Sequence, residues 1–400
     1  MNENTFSSAS SVPNVRQAAL FDADEFRPDA PGPPEARPRG TPRLRRANRR
    51  QVEFRACAWN DLLPEGHSAR IAWQFAEGLD LSPLLVRIKS VEDQPGTPPI
   101  DPRILTTLWL YATLRGVGSA RELDRRCGEH GEVPFQWICG GVSVNHHTLS
   151  DFRTQHVEFL DGVLTQSVAA LLEQELVEMD RVAQDGMRVR ASAGASSFRR
   201  KPTLEECLAD AEATVMKMPD GGFRPAFNVQ FATDTKTQVI TGVEVTNSGS
   251  DLGEMLPMVE QLQERYDKTP DEYLTDGGFA KKEDIEQLDP DLDADASSGT
   301  LIYIPVQKPK KDNRDPHQPC AGDSPKIAAW RRRMGTEEAK EIYKERAATA
   351  ECVNAIARNR GLRQFNVRGL TKAKAVILWY VIAHNLMRAV ALRAEREKVC

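Results

Sequence analysis

Apolar positions in "DPRILTTLWLYATLRGV" recur at helical spacing, with Ile104, Leu105, Leu108, Trp109 and Ala112 on one face. Gly116 and Gly118 interrupt the run, and Ser119 is placed to cap "SARELDRRCGEH". After a loop containing "CGGVSVN" the helical period returns through "HTLSDFRTQHVEFLDGVLTQSVAALLEQEL". Short helices on tight turns over residues 51–178 predict an all-α domain of helix-turn-helix type, beside the plainer reading of a helical bundle. Within it "HTLSDFRTQH" is the candidate recognition helix, with Thr148, Arg153, Thr154 and Gln155 as side chains that reach bases.

From residue 179 the period changes. "RVAQDGMRVRAS" alternates through Met187, Val189 and Ala191, "AFNVQFATD" through Phe227, Val229 and Phe231, and "TQVITGVEVTNS" through Val239, Thr241, Val243 and Val245. A helix follows in "DLGEMLPMVEQLQERYD", then a short strand in "EYLTD", a helix in "KKEDIEQL" and a buried strand in "TLIYIPV". A polar, proline-rich stretch falls inside an insertion at about 288–335. The chain closes on two helices, "IYKERAATAECVNAIARNRG" and the apolar segment around "AVILWYVIA". Strands followed by alternating helix and strand predict an α/β fold, a mixed sheet flanked by helices, over residues 179–400.

Charge alters this picture locally. The net charge of −5 excludes a uniformly basic nucleic-acid binder, so any DNA surface must come from segregated positive charge. Residues 1–50 read as a disordered Arg/Pro-rich arm, and Arg45, Arg46, Arg49 and Arg50 stand at its end with no acid between Glu35 and Glu53. Such an arm suits phosphates more than bases. "AVILWYVIA" is too short to span a bilayer and reads as a core helix. Seven scattered cysteines and a polar N-terminus fit a reducing cytoplasm. Cys127, His130, Cys139 and His146 are spaced too loosely for a structural zinc and read as helix-end and loop residues.

One acid on a basic helix is the chemical puzzle. Glu351 sits among Arg346, Arg358 and Arg360. Asp185 lies on the first strand of the sheet and Asp276 at the end of a later one. These two strands can be neighbours, with the helix of Glu351 lying across their ends. Converging carboxylates need a positive charge between them. Hard oxygen ligands suit two Mg²⁺ or Mn²⁺ ions, which activate water and steady the leaving oxygen of a phosphodiester. Taken as a regular helix, the segment puts Tyr343 and Arg358 near the face of Glu351 and turns Arg346 to the flank. Each acid alone is a turn or solvent residue; the signal is their joint placement.

From about Arg50 onward the chain resembles the DDE transposases of bacterial insertion sequences. The segments that carry the likeness include "LLPEGHSARIAW", "VSVNHHTLSDFR", "VAQDGMRVRASAGASSFRR", "LTDGGF" and "EIYKERAATAECVNAIARNRGLRQFNVRGL". The resemblance implies a ribonuclease-H-like catalytic domain behind the helical one. It implies metal-binding roles for Asp185, Asp276 and Glu351, and DNA contacts from a Y-R-E-K-type signature at Tyr343, Arg346, Glu351 and Arg358. Its last position is Arg where the family has Lys. Four residues separate Arg346 from Glu351 where the broader superfamily has three. Residues 200–221 stand where relatives carry a longer charged helical segment. The implied partners are duplex DNA, as terminal inverted repeats and target, and a second copy of the chain when ends are synapsed. The implied setting is the bacterial nucleoid, with no membrane. A catalytically silent, transposase-derived DNA-binding protein is the alternative, and a host nuclease of the same fold is a third reading.

Overall fold

The computed structural model describes residues 58–86, 88, 98–192, 212–290, 299–307 and 314–399. The arginine-rich arm, with Arg45, Arg46, Arg49 and Arg50, and residues 193–211 fall outside the described residues.

The first seven helices are α1 (Ser68–Glu77), α2 (Ser82–Leu85), α3 (Pro102–Leu114), α4 (Ala120–Cys127), α5 (Val133–Cys139), α6 (His146–Thr154) and α7 (Val157–Glu173). Their starts follow from side-chain caps that satisfy otherwise orphaned amides. Asp101 accepts from the Arg103 amide at 2.8 Å, with Pro102 fixing the first turn, and Asn145 accepts from the Thr148 amide at 2.9 Å. Ser119 caps α4, as its place after Gly118 predicts. Helix α3 is buried on almost every side, which makes it the central helix of this half.

Among the described residues there are six strands, β1 (Arg181–Arg190), β2 (Thr214–Lys217), β3 (Phe223–Asp234), β4 (Ile240–Thr246), β5 (Glu272–Leu274) and β6 (Leu301–Tyr303). Antiparallel β1 and β3 form the centre, with Asp185 opposite Phe231. Strands β2 and β4 share the far edge of β3, while β5 and β6 add in parallel beyond β1. The sheet is therefore mixed, as the pattern predicts, with one extra strand: the four residues of β2 are mostly exposed and carry no clear alternation.

The later helices are α8 (Met255–Tyr266), α9 (Lys282–Leu288), α10 (Pro325–Met334), α11 (Glu337–Arg346), α12 (Cys352–Asn359) and α13 (Leu370–Val399). Between α11 and α12 the chain makes a π-turn over Ala347–Glu351. The single regular helix expected over 342–361 is thus three joined segments.

Helix α13 is long and apolar enough to cross a membrane, but 67% of its apolar window is buried by the rest of this chain. It serves as a core helix packed on α3, α6, α7 and β4. Asn385 both accepts from the Ile240 amide (2.9 Å) and donates to its carbonyl (2.7 Å), pairing the backbone at the start of β4. Trp379 Nε1 donates to the Arg153 carbonyl at 3.0 Å. The helical half and the sheet consequently share one continuous core, and the boundary placed near residue 178 runs through it.

His384 on α13 gives this core a pH dependence. Its Nε2 donates to the Gln238 carbonyl at 2.9 Å, and burial pushes the ring down to about 4, against that hydrogen bond and with help from Arg360 and Arg388. The unfolded chain takes up this proton near 6.5, so stability is lost as pH falls from there through about 4. The full loss is roughly 3 kcal/mol at 1.36 kcal/mol per unit. Urea unfolding near pH 7 and near pH 4 should show a smaller acid loss in His384→Gln than in the parent. Equal losses would remove His384 as the cause.

Candidate active site

Asp185 sits at the middle of β1, paired with Phe231 of β3 on one side and two residues beyond the last pairing with β5 on the other. Asp276 follows β5 and caps the next short turn, its Oδ1 accepting from the Gly278 amide at 2.7 Å. Because β5 runs parallel to β1 in register Ala183 with Leu274, the two carboxylates emerge at the same level of neighbouring strands.

Arg346 lies between them. Its Nη2 is 2.9 Å from Asp185 Oδ1 and 3.7 Å from Asp276 Oδ2. Asn354 Nδ2 donates to the other Asp185 oxygen at 2.7 Å. Burial pushes the Asp185 carboxyl up to about 6, Arg346 pulls it back, and the nearby Asp276 and Asp251 charges add to the rise. Tyr343 stands beside Arg346, half-buried; burial raises its hydroxyl, Arg346 opposes this, and both aspartates reinforce it.

The expected flank position of Arg346 is corrected here, and the π-turn is the reason. In a regular helix five residues turn the chain by ~500°, leaving Arg346 and Glu351 ~140° apart. Bonding from i to i+5 spends one extra residue on the turn and brings the two back toward one face. The extra residue in the Arg346–Glu351 spacing and the π-turn occupy the same place in the chain. Glu351 is exposed and makes no hydrogen bond or ion pair among the described residues. It is nevertheless bracketed by Arg346 and Asn354, both of which grip Asp185. Deleting Ala348, an exposed residue of the turn, should let α11 and α12 run as one regular helix with Glu351 still near Arg346. The expected change in stability is within about 1 kcal/mol. Thermal melting and circular dichroism check it; an unfolded deletion variant would show that the turn is not a tolerated insertion.

The remaining candidates are spread out. Arg358 is exposed on α12. On α6, Thr148 is partly exposed near the N-terminus and Gln155 is exposed at the C-terminus. Arg153 turns inward: its guanidinium stacks 4.6 Å over Trp109 and its Nη1 donates to the Gly118 carbonyl at 2.5 Å. The outward positions of α6 are His147, Ser150 and Asp151.

Sequence reasoning missed Asn354 and Asp251. Asp251 Oδ1 accepts from Asn228 Nδ2 and Gln230 Nε2, each at 2.7 Å. The donor chain continues behind them, from Tyr273 to Gln184 (2.9 Å) and from Gln184 to Gln230 (3.1 Å). A Cβ at Gly186 would come within 2.3 Å of Asp251 Oδ1, so only glycine lets this carboxylate lie against β1 beside Asp185. The one available signal was the pair of amides at alternate positions of an otherwise apolar strand, Asn228 and Gln230.

The transposase DDE domain family matches residues 202–386, and a second transposase domain family, DUF772, matches residues 58–155. The chain belongs to the DDE transposases. Asp276, Glu351 and the whole Y-R-E-R set lie inside the first match, while Asp185 lies just before it. The family makes the mixed sheet of this transposase a ribonuclease-H-like one. No curated protein and no solved structure matches the chain. DDE transposases act on DNA and generally use divalent metal ions. Among the described residues of this transposase, no three His, Cys, Asp or Glu side chains are already arranged as a metal cage. Two do fit a hard cation: Asp185 and Asp276 present carboxylates at one level, with a single positive charge now shared between them. Glu351 completes the set only by turning toward them.

Proposed function

We propose that this transposase binds the terminal inverted repeats of its own element, cleaves phosphodiester bonds there and joins the freed 3′-OH to target DNA by in-line attack. The carrying observation is Arg346, held between two strand-end carboxylates on the helix that presents Glu351 one wide turn later. Asp185, Asp276 and Glu351 would hold a pair of Mg²⁺ or Mn²⁺ ions, which would supply the Lewis acidity to activate the nucleophile and steady the leaving oxygen.

The chain's own part is positioning. Strands β1 and β5 fix the two aspartates, and Asn354 orients Asp185 through its second oxygen. Arg346 would contact a DNA phosphate, with Tyr343 beside it and Arg358 further along the helix. Of α6, Thr148 and Gln155 remain candidates for base contact, while Arg153 turns inward to Trp109 and Gly118 and does not face a base. The arm with Arg45, Arg46, Arg49 and Arg50 tracks phosphates without reading sequence. The working form is a cytoplasmic homodimer at the nucleoid that pairs two ends.

The test is incubation of an end-containing duplex with the full chain in Mg²⁺ or Mn²⁺, beside a binding assay on the same duplex at several salt concentrations. Cuts at the element end support the reading. Binding without cutting under either ion would replace it with the silent DNA-binding alternative.

A further inference from the structure

The helical half and the end of α12 meet at a cleft of about 50 Å³, lined among others by Gly116, Gly118, Arg153, Arg360, Gly361 and Tyr380. Its lining includes two guanidinium groups and neither Asp nor Glu. Three polar atoms of residues that line it are buried without a hydrogen-bond partner among the described residues: Arg153 Nε, Arg360 Nη1 and Tyr380 Oη. Burial lowers Arg153 only to about 10, so it stays protonated at neutral pH. A buried guanidinium at Arg153 and three orphaned polar groups on residues around one small space are costly as they stand. A packing seam would be expected to place a carboxylate or an apolar side chain there instead.

We infer that this cleft is an oxyanion site that accepts one phosphate-class group between Arg153, Arg360 and Tyr380. Guanidinium and phenol donors match phosphate oxygens, and charge-assisted bonds of this kind are the strong ones. The small volume suits a single small group. The walls are set by backbone. Gly116 (φ 70°) and Gly361 (φ 88°) adopt left-handed conformations and approach so closely that a Cβ on either would stand 3.4 Å from the other segment's carbonyl oxygen. Arg153 is fixed by Trp109 and Gly118, while the half-buried Arg360 has a long flexible stem with which to close on an anion. The occupant would tie the α3–α4 turn to the far end of the helix that follows Glu351.

The phosphate group has two sources, a backbone phosphate of bound DNA or a free anion, and only the first rests on the DNA-binding reading. Thermal unfolding of the full chain is followed with inorganic phosphate titrated at constant ionic strength in chloride. For a free-anion site, phosphate raises the melting temperature of the parent saturably; Arg360→Gln needs about tenfold more phosphate or more, and Tyr380→Phe shows a smaller shift in the same direction. For a DNA phosphate, free phosphate has little effect, and the slope of log affinity against log salt for a duplex shrinks by about one in Arg360→Gln. Either result supports the site. No phosphate effect together with an unchanged salt slope overturns it, as does a phosphate effect of equal size in parent and both variants. If the chain binds no DNA at all, the free-phosphate measurement decides alone.

Discussion

Asp185→Asn is expected to bind an element end as well as the parent or slightly better, and to cut it slower by about a thousandfold or more, ~4 kcal/mol of barrier. The amide keeps the size of the carboxyl and leaves an oxygen for Asn354 Nδ2, which now donates at 2.7 Å. What it removes is the charge facing Asp276 and Asp251 and pairing with Arg346. On the proposed reading that charge would hold a cation, and without it neither nucleophile nor leaving group would be assisted. Losing one negative charge also eases the approach of the DNA backbone. Asp276→Asn and Glu351→Gln should behave alike, and double variants should lose little more, because the three act as one unit. A separate readout is stability without metal. The folded carboxyl titrates near 6 against 3.8 when unfolded, so ionising it costs folding free energy, and the parent loses stability as pH rises through that interval. The Asn variant should lose this dependence. Strand cleavage and binding on one duplex decide the main claim; an Asn variant that cuts at the parental rate would remove Asp185 from the chemistry.

The parts of this molecule visible in the sequence are those written locally. Met187 and Val189 of β1 and Ala191 just after it alternate, and all three are buried. The helix caps at Asp101, Ser119 and Asn145 sit at positions that turn chemistry marks. The order of acids along strand, strand end and helix was legible for the same reason. What failed was anything that depends on a departure from regular geometry or on a distant partner. A wheel drawn at 3.6 residues per turn cannot show the π-turn that carries Arg346 to Asp185. Arg153 occupies a polar position of an amphipathic helix and looks free, but Trp109, more than forty residues earlier, supplies an aromatic face for it. The boundary between the halves was drawn where the periodicity changes, yet α13 arrives from the end of the chain and packs on both sides of that line.

The same blindness hides the pair that holds the sheet edge beside Asp276, and removing half of it should be the most damaging single change outside the acids. Arg333 on α10 reaches both oxygens of Asp289, at 2.7 and 2.8 Å, and the Ile302 carbonyl at 3.0 Å. Asp289 in turn accepts from the Ile302 amide at 3.0 Å. Together they fasten α10 and the end of α9 to β6, which pairs with β5 two residues before Asp276. Asp289 is almost wholly buried, and burial outweighs the pull of Arg333 on its carboxyl, leaving it raised. Arg333→Met leaves that carboxyl with only the weaker pull of Lys326 and should cost about 3–5 kcal/mol. The cost should shrink as pH falls, because protonating Asp289 removes the stranded charge. Adding Asp289→Asn, which keeps an acceptor for the Ile302 amide, should recover part of the loss in the double variant. Cleavage should fall with the single change too, through a loosened β5–β6 edge and a wandering Asp276. Urea unfolding of the two single variants and the double, near pH 7 and near pH 5, measures the coupling. An Arg333→Met protein as stable as the parent at both would mean that apolar packing, and not this ion pair, holds the edge.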